Sequence, residues 1–153
     1  MTRAVVAFGR MNPPTVGHEK LAKKISDEAR KRKAMPHIYL SHSQDKKKNP
    51  LNYNDKIKYV RKAFGKMVTK SSARSIIEVF KELEKMEVIS AGERDPDSEG
   101  VDGMSGTKLR DLAKSGDFDT FKTGLASKLG DTDKKKVYNI IRSVNEASDE
   151  DED

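Results

Sequence analysis

Short apolar runs rich in β-branched residues alternate along this chain with longer stretches in which apolar residues recur at helical spacing. The runs predict buried strands, and they are the segments RAVVAF (3–8), HIYL (37–40), KMVT (66–69) and EVISA (87–91). Strands that are each followed by a helix need crossover connections, which produce parallel pairing. The alternation therefore predicts an α/β protein with a parallel sheet and helices on both faces.

The helical stretches separate and follow these strands. Apolar residues at intervals of three and four predict helices over about 18–33, 53–64 and 76–83, near 105–115 and 117–124, and near 132–146. The expected architecture is a compact, Rossmann-like sheet. Ligands of such sheets bind beyond the carboxyl ends of the strands, so the loop after the first strand is the first candidate for a site.

The composition restricts the class of protein. The chain has 153 residues, enough for one domain; 34% of them are hydrophobic and 37% are charged. No stretch approaches the roughly 20 apolar residues of a membrane-spanning helix, and no secretory h-region precedes the first strand. Cysteine is absent, which excludes thiolate metal sites and is typical of a reducing compartment. We expect a soluble cytoplasmic protein with no membrane partner.

The charge is distributed unevenly along the chain. The net charge is +6, yet residues 145–153 alone carry −6, so the rest of the chain carries +12. An acidic run without apolar anchors predicts a disordered tail over 145–153 after one domain over 1–144. A basic domain favours an anionic partner such as a nucleotide, a nucleic acid or an acidic surface. Nucleic acid is the weaker option, because the chain has five Phe, four Tyr and no Trp for base stacking.

The segment GRMNPPTVGH (9–18) joins the first predicted strand to the first helix. Gly9 allows the backbone to turn sharply and to approach a ligand closely, and the adjacent prolines stiffen the turn. Thr15 and His18 are three residues apart, so both can face one site, and Gly17 again allows close approach. The N–H groups of a helix start favour an anion there. The alternative interpretation is a rigid connection in which His18 only caps the helix or packs in the core.

A second segment, MSGTKLRDLA (104–113), has the features of another helix start. Ser105 and Thr107 suit an N-cap and a first turn, and Gly106 leaves the backbone N–H groups open. The guanidinium of Arg110 has the planar geometry that suits phosphate. A plain capped amphipathic helix explains this segment equally well by itself. Because both segments follow predicted strands at the same edge of the sheet, together they predict a site for phosphate groups.

The pair GRMNPPTVGH and SGTKLR resembles the paired signatures of the nucleotidylyltransferase superfamily with the HIGH-type motif. A third segment, LSHSQDKKKNPLNYNDKI (40–57), is similar to part of the archaeal-type nicotinamide-nucleotide adenylyltransferases. The chain as a whole also resembles nucleotidyltransferases encoded by large tailed phages. The resemblance covers about residues 3–125. Its first and last motifs are specific for the superfamily, whereas the choice of substrate is much less specific.

The resemblance implies transfer of AMP or another nucleotidyl group from a nucleoside triphosphate, bound with Mg²⁺, to a small phosphomonoester such as nicotinamide mononucleotide. Pyrophosphate leaves, and no metal ligand comes from a protein side chain. The catalytic residues would be His18, Thr15 and Arg110. The nucleotide and its phosphates would contact Gly9, Arg10, Met11, Gly17, Ser105, Gly106, Thr107 and Arg94. The acceptor would contact Gln44, Asn49 and Pro50. An ion pair within its own acidic loop explains Arg94 equally well.

The sequence also departs from this family. In the relatives a further strand carrying Gly-Ser-Asp, with its helix, precedes the strand that corresponds to EVISA, whereas this chain passes directly from ELEKM to EVISA. It therefore lacks one βα unit, which normally borders the nucleotide pocket. A second interpretation is a catalytically degenerate nucleotide-binding or virion-associated interaction protein of phage origin. A protein of this kind would be located in the host cytoplasm or in the virion. It would form a homo-oligomer or bind a virion protein.

Overall fold

The computed structural model describes residues 3–81 and 105–151. The strands are β1 (Ala4–Gly9), β2 (Met35–Leu40) and β3 (Val68–Thr69), with a 3-10 turn over Gly65–Met67 before β3. The helices are α1 (Val16–Arg32), α2 (Tyr53–Phe64), α3 (Ile76–Phe80), α4 (Gly106–Ser115), α5 (Phe118–Gly124) and α6 (Asp131–Asp151). The strand predicted at 87–91, the loop with Arg94 and the βα unit inferred to be missing there lie outside the described residues.

The three strands form one parallel sheet in the order β1-β2-β3. β1 and β2 pair along their whole length, from Ala4 opposite Met35 to Gly9 opposite Leu40. β3 is short and pairs through Val68 and Thr69, because the 3-10 turn occupies the first half of the predicted KMVT strand. The predictions of an α/β chain and of parallel pairing are confirmed. All three strands end at the same edge, called here the carboxyl edge.

Helices α1 and α2 cover one face of this sheet. Alternate strand residues, which share a face by register, pack with both helices in a cluster of Met11, Ala22, Ile25, Ile38, Leu40, Ile57, Val60 and Val68. The connections from β1 to β2 and from β2 to β3 have the same hand and run in the same direction across the sheet, so their helices, α1 and α2, lie on the same face. For this face of the sheet the prediction of covering helices is confirmed, and for the other face it stays a prediction.

A second hydrophobic cluster lies on the far side of α2. Tyr59 and Ala63 of α2 pack there with residues of α4, α5 and α6. Its other buried members are Leu51, Leu109, Ala113, Phe121, Leu125, Ala126, Leu129, Val137, Tyr138 and Ile141. The three C-terminal helices thus form a layer that contacts the sheet through α2. The helices predicted near 105–115, 117–124 and 132–146 are confirmed.

The last helix runs further than the sequence predicts. α6 continues to Asp151 and so includes most of the segment 145–153, for which we expected disorder. Its buried residues Val137, Tyr138 and Ile141 anchor the helix in the second cluster. Once a helix is anchored, each added residue gains a hydrogen bond without a new nucleation cost. No helix that the structure describes is both long enough and apolar enough to cross a membrane.

Candidate functional site

The turn that follows β1 is firmly held at the carboxyl edge. Gly9 accepts a hydrogen bond from the N–H of Ser41 at 2.9 Å, which ties the ends of β1 and β2 together. Met11 has a left-handed backbone (φ 44°), uncommon for a residue with a side chain, and its side chain is buried in the sheet cluster. The next peptide, Asn12–Pro13, is cis. Met11 thus shapes the turn through its backbone and anchors it through its side chain.

Asn12 connects this turn to two other parts of the chain. Its side-chain amide donates to the carbonyl of Leu51 at 3.0 Å and accepts from the N–H of Leu51 at 2.8 Å. Its backbone carbonyl accepts a hydrogen bond from Nη1 of Arg110 at 2.9 Å. Asn12 is itself buried. Each contact joins residues far apart in sequence, so Asn12 fixes the turn relative to α2 and α4.

Thr15 and His18 form the N-terminal cap of α1. The hydroxyl of Thr15 accepts from the N–H of His18 at 3.4 Å, and the N–H of Thr15 donates to Nδ1 of His18 at 2.9 Å. Because a backbone N–H can only donate, Nδ1 is the acceptor nitrogen, and the proton of a neutral imidazole sits on Nε2. His18 therefore has a structural role, and its other nitrogen is a hydrogen-bond donor.

The two residues differ in how far a ligand can reach them. Thr15 is fully buried (0% exposed), and its backbone pairs with Leu125 in an antiparallel bridge. His18 is half-buried and Gly17 beside it is half-buried as well. In this geometry Thr15 orients His18 and the helix start. Direct contact with a phosphate, which the resemblance implies for both, fits His18 only.

Helix α4 begins at the same edge, next to Asn12. Ser105 is its N-cap and accepts from the N–H of Lys108 at 3.2 Å, as predicted. Arg110 reaches back over this first turn, where Nη2 donates to the hydroxyl of Thr107 at 3.2 Å. Burial lowers the pKa of Arg110, although a guanidinium stays charged at neutral pH. The two predicted segments, 98 positions apart at Asn12 and Arg110, therefore meet directly.

Gly106 has a role in this contact that the sequence did not indicate. A Cβ at this position would lie 2.9 Å from Nη1 of Arg110. The glycine therefore makes room for the guanidinium as well as leaving backbone N–H groups open at the helix start. Gly9 differs, because a Cβ there would only be in ordinary contact with Met11.

Three cationic side chains, those of Arg10, Lys56 and Arg110, lie near one another at this edge. Arg10 is exposed and, among the residues described, forms no hydrogen bond or ion pair. The charge of Arg10 acts on both Arg110 and the buried Lys56. Asp45 is the carboxylate outside α4 whose charge also reaches Arg110. Like charges at close range are stabilised when an anion binds among them, so this edge suits phosphate groups.

The predicted acceptor segment is a tight loop. Asp45 accepts hydrogen bonds from the N–H groups of Lys47 and Lys48, at 3.0 and 2.6 Å, and from the side-chain amide of Asn49 at 2.8 Å. These bonds, led by that of Lys48, lower the pKa of Asp45 to about 2. Gln44 is exposed, whereas Asn49 and Pro50 are buried. Gln44 is therefore the one of these three predicted residues that a ligand can reach directly.

Asn49 is oriented by this loop in a defined way. Because its Nδ2 donates to the Asp45 carboxylate, a flipped amide would place two oxygens against each other. Its Oδ1 is buried and has no hydrogen-bond partner among the residues that the structure describes. Asn49 closes the loop through its Nδ2, and its contact with an acceptor stays a prediction.

Three residues of this region were missed by sequence reasoning: Asn12, Asp45 and Lys56. The first is adjacent to the prolines that were singled out, and its side-chain role depends on Leu51, which is distant in sequence. The second is followed by three lysines that suggest a solvated loop. Lys56 lies three and four residues before the buried Tyr59 and Val60 of α2. That spacing is a signal that the sequence did contain.

Arg94 lies outside the described residues. Within 3–81 and 105–151, no three His, Asp or Glu side chains are grouped so that they could hold a metal ion. A scan against protein-family models finds no matching family, and searches of curated proteins and of solved structures find no match either. The resemblance to nucleotidylyltransferases therefore rests on the sequence motifs alone.

Proposed function

We propose that this chain is a Rossmann-like nucleotidylyltransferase that binds a nucleoside triphosphate with its Mg²⁺ at the carboxyl edge. The observation that supports this most strongly is the hydrogen bond from Arg110 to the carbonyl of Asn12. It brings the first turns of α1 and α4, whose N–H groups point out of the helix ends, to one place. Arg10, Arg110 and the donor nitrogen of His18 add to the attraction for phosphate.

The proposed reaction needs no nucleophile from the protein. An oxygen of a phosphomonoester acceptor, such as nicotinamide mononucleotide, attacks the α-phosphorus of the triphosphate. The new P–O bond forms as the bond to the β-phosphate oxygen breaks, and pyrophosphate leaves with the electron pair and with Mg²⁺. Catalysis then depends on positioning and on stabilising the charge that grows on the leaving group. His18 Nε2 and Arg110 are the groups proposed for this task.

The cap geometry allows a sharp test at His18. A capping box accepts Gln or Glu at this position, so His18→Gln and His18→Glu should keep the helix start. With its Oε1 accepting from the N–H of Thr15, Gln still carries an N–H donor on Nε2, so we expect His18→Gln to keep ATP affinity and pyrophosphate release within a few-fold. His18→Glu keeps the cap but has no N–H donor, and its carboxylate repels phosphate. It should weaken ATP binding by about tenfold or more and lower pyrophosphate release by about 10²-fold or more.

The measurements are pyrophosphate release, with ATP·Mg²⁺ and a panel of phosphomonoester acceptors, and ATP binding by calorimetry. His18→Ala is the control for the cap and should lower the melting temperature through loss of about 1 kcal/mol. Unchanged turnover per folded molecule in His18→Ala and His18→Glu would leave His18 as a capping residue only. A wild type that binds ATP and releases no pyrophosphate with any acceptor would contradict the enzyme and support the catalytically degenerate alternative.

The cap of α1 favours the alternative of a catalytically degenerate nucleotide-binding protein. Nδ1 of His18 and the hydroxyl of Thr15 both serve the cap of α1, so this motif can be retained for stability alone. The same assay separates the two functions, because a degenerate binding protein shows affinity without turnover.

A further inference from the structure

Lys56 is a fully buried lysine at the carboxyl edge that the proposed reaction does not use. It lies in the first half of α2, and its residue exposure is 0%. Its Nζ donates to the hydroxyl of Ser41 at 3.0 Å. Ser41 follows β2 directly and donates its N–H to the carbonyl of Gly9. The ammonium therefore sits just beneath the turn where the proposed phosphate site begins.

This ammonium has little compensation for its burial. In the part of the chain that the structure describes, its hydrogen-bond partner is a neutral hydroxyl, and no carboxylate pairs with it. Burial, followed by the charge of Arg10, lowers the pKa of Lys56 to about 8. A buried charge without a counterion destabilises the folded state. An unbranched apolar side chain of similar length would fill this space at lower cost.

The neighbours of Lys56 suggest what the charge does. Arg10 is exposed on the outer side of the same turn and repels Lys56. The hydroxyl of Ser41 accepts from Lys56, so its own hydrogen is available as a donor at this edge. An anion bound at the turn would turn the repulsion between two cations into attraction by both. In a site with limited water the effect of a buried charge is stronger than in solvent.

We infer that Lys56 is a positioning residue of the phosphate site: its buried charge and its hydrogen bond to Ser41 strengthen the binding of phosphate groups at the Gly9–Arg10 turn, at the expense of the stability of the free protein. This inference rests on the proposed function, because it requires that the carboxyl edge binds a phosphate ligand. It adds that α2, through Lys56, takes part in binding without touching the ligand.

The test replaces the charge and keeps the volume. Lys56→Met retains an unbranched side chain, and Lys66→Met, at an exposed position just beyond α2, is the control with the same change in net charge. ATP·Mg²⁺ and inorganic pyrophosphate are the probes for calorimetry, and the melting temperature is measured without ligand. We expect Lys56→Met to have an unchanged or higher melting temperature and to bind both probes at least about tenfold more weakly, equivalent to about 1.4 kcal/mol. Lys66→Met should change affinity less than about twofold, as a screened surface charge does.

The outcomes separate this inference from the proposed function. If the wild type binds both probes and Lys56→Met binds them equally well, the inference is wrong and the proposed site stands. If Lys56→Met melts at a lower temperature or does not fold, the charge serves the fold, and the inference is wrong as well. If the wild type binds neither probe, the proposed function and the inference fail together.

Discussion

Gly106 offers the most direct test of how the two motifs are joined. In the substitution Gly106→Ala, the new Cβ would lie 2.9 Å from Nη1 of Arg110 and 4.0 Å from the carbonyl of Asn12. The first distance is shorter than carbon–nitrogen contacts allow, whereas the second is ordinary contact. Because the guanidinium is the end of a flexible side chain, it moves and the helix stays. The substitution should therefore break the bond between Arg110 and Asn12 without unfolding α4.

The expected magnitude follows from two opposing contributions. Alanine is favoured over glycine in a helix by up to about 1 kcal/mol. Loss of the charge-assisted bond from Arg110 to Asn12 costs about 1.5–3 kcal/mol, and less where water replaces it. We expect Gly106→Ala to lower the free energy of unfolding by about 1 kcal/mol, or the melting temperature by about 2–4 °C. ATP affinity should fall as well, because Arg110 leaves the position that Asn12 holds it in.

A double-mutant cycle with Arg110→Met isolates the contact. When Arg110 is already absent, the new Cβ meets no guanidinium, so Gly106→Ala should stabilise the protein by about 0.5–1 kcal/mol. The sign of the effect thus reverses between the two backgrounds, with a coupling energy of about 1.5–2 kcal/mol. Urea denaturation of the four proteins measures it. Additive effects within about 0.5 kcal/mol would refute the reasoning, because they would show that the Cβ and the guanidinium do not compete for space.

Two further predictions concern the turn and the loop beside it. Asn12→Ala should destabilise the protein by about 2–4 kcal/mol in urea denaturation, because it leaves the buried N–H and carbonyl of Leu51 without partners; a loss below about 1 kcal/mol would mean that water replaces both bonds. The pKa of Asp45 is lowered from 3.8 to about 2, so its contribution to stability is present above pH 3.8 and is lost as the pH falls through about 2. Asp45→Asn should therefore flatten the dependence of the melting temperature on pH in that window, and parallel curves for mutant and wild type would contradict the assignment.

The sequence predicts the elements of this fold better than their arrangement. The apolar residues Ala22, Ile25 and Ala29 of α1 recur at helical spacing and are buried as expected. In contrast, α1 and α2 pack on the same face of the sheet because of the order of the three strands, and local spacing in the sequence does not encode that order. β3 is shorter than its apolar run because the 3-10 turn takes part of it. The helical backbone up to Asp151 likewise depends on anchoring by residues earlier in α6.

The candidate site was predicted from motifs, and the structure adds the contacts that no local pattern contains. Ser105 was expected as an N-cap and is one, because capping is local chemistry. The capping role of His18 was likewise predicted as an alternative to phosphate binding, because a cap depends only on residues close in sequence. The side-chain role of Asn12 was missed because its partner, Leu51, lies elsewhere in the sequence. The burial of Lys56 could have been predicted from its spacing in α2, whereas its contact with Ser41 could not. Long-range hydrogen bonds of this kind follow from the tertiary fold.

The backbone contacts of the turn over residues 9–18 affect the order in which the parts of this protein fold. The turn after β1 is closed from outside by the bridge from Thr15 to Leu125 and by the hydrogen bond from Ala126 to the carbonyl of Pro14. Contacts over such a separation close late, because a long loop must lose its freedom before they form. During synthesis, β1 and α1 leave the ribosome long before Leu125 is made. The turn over residues 9–18 is therefore made early in synthesis and is among the last segments to reach its native conformation.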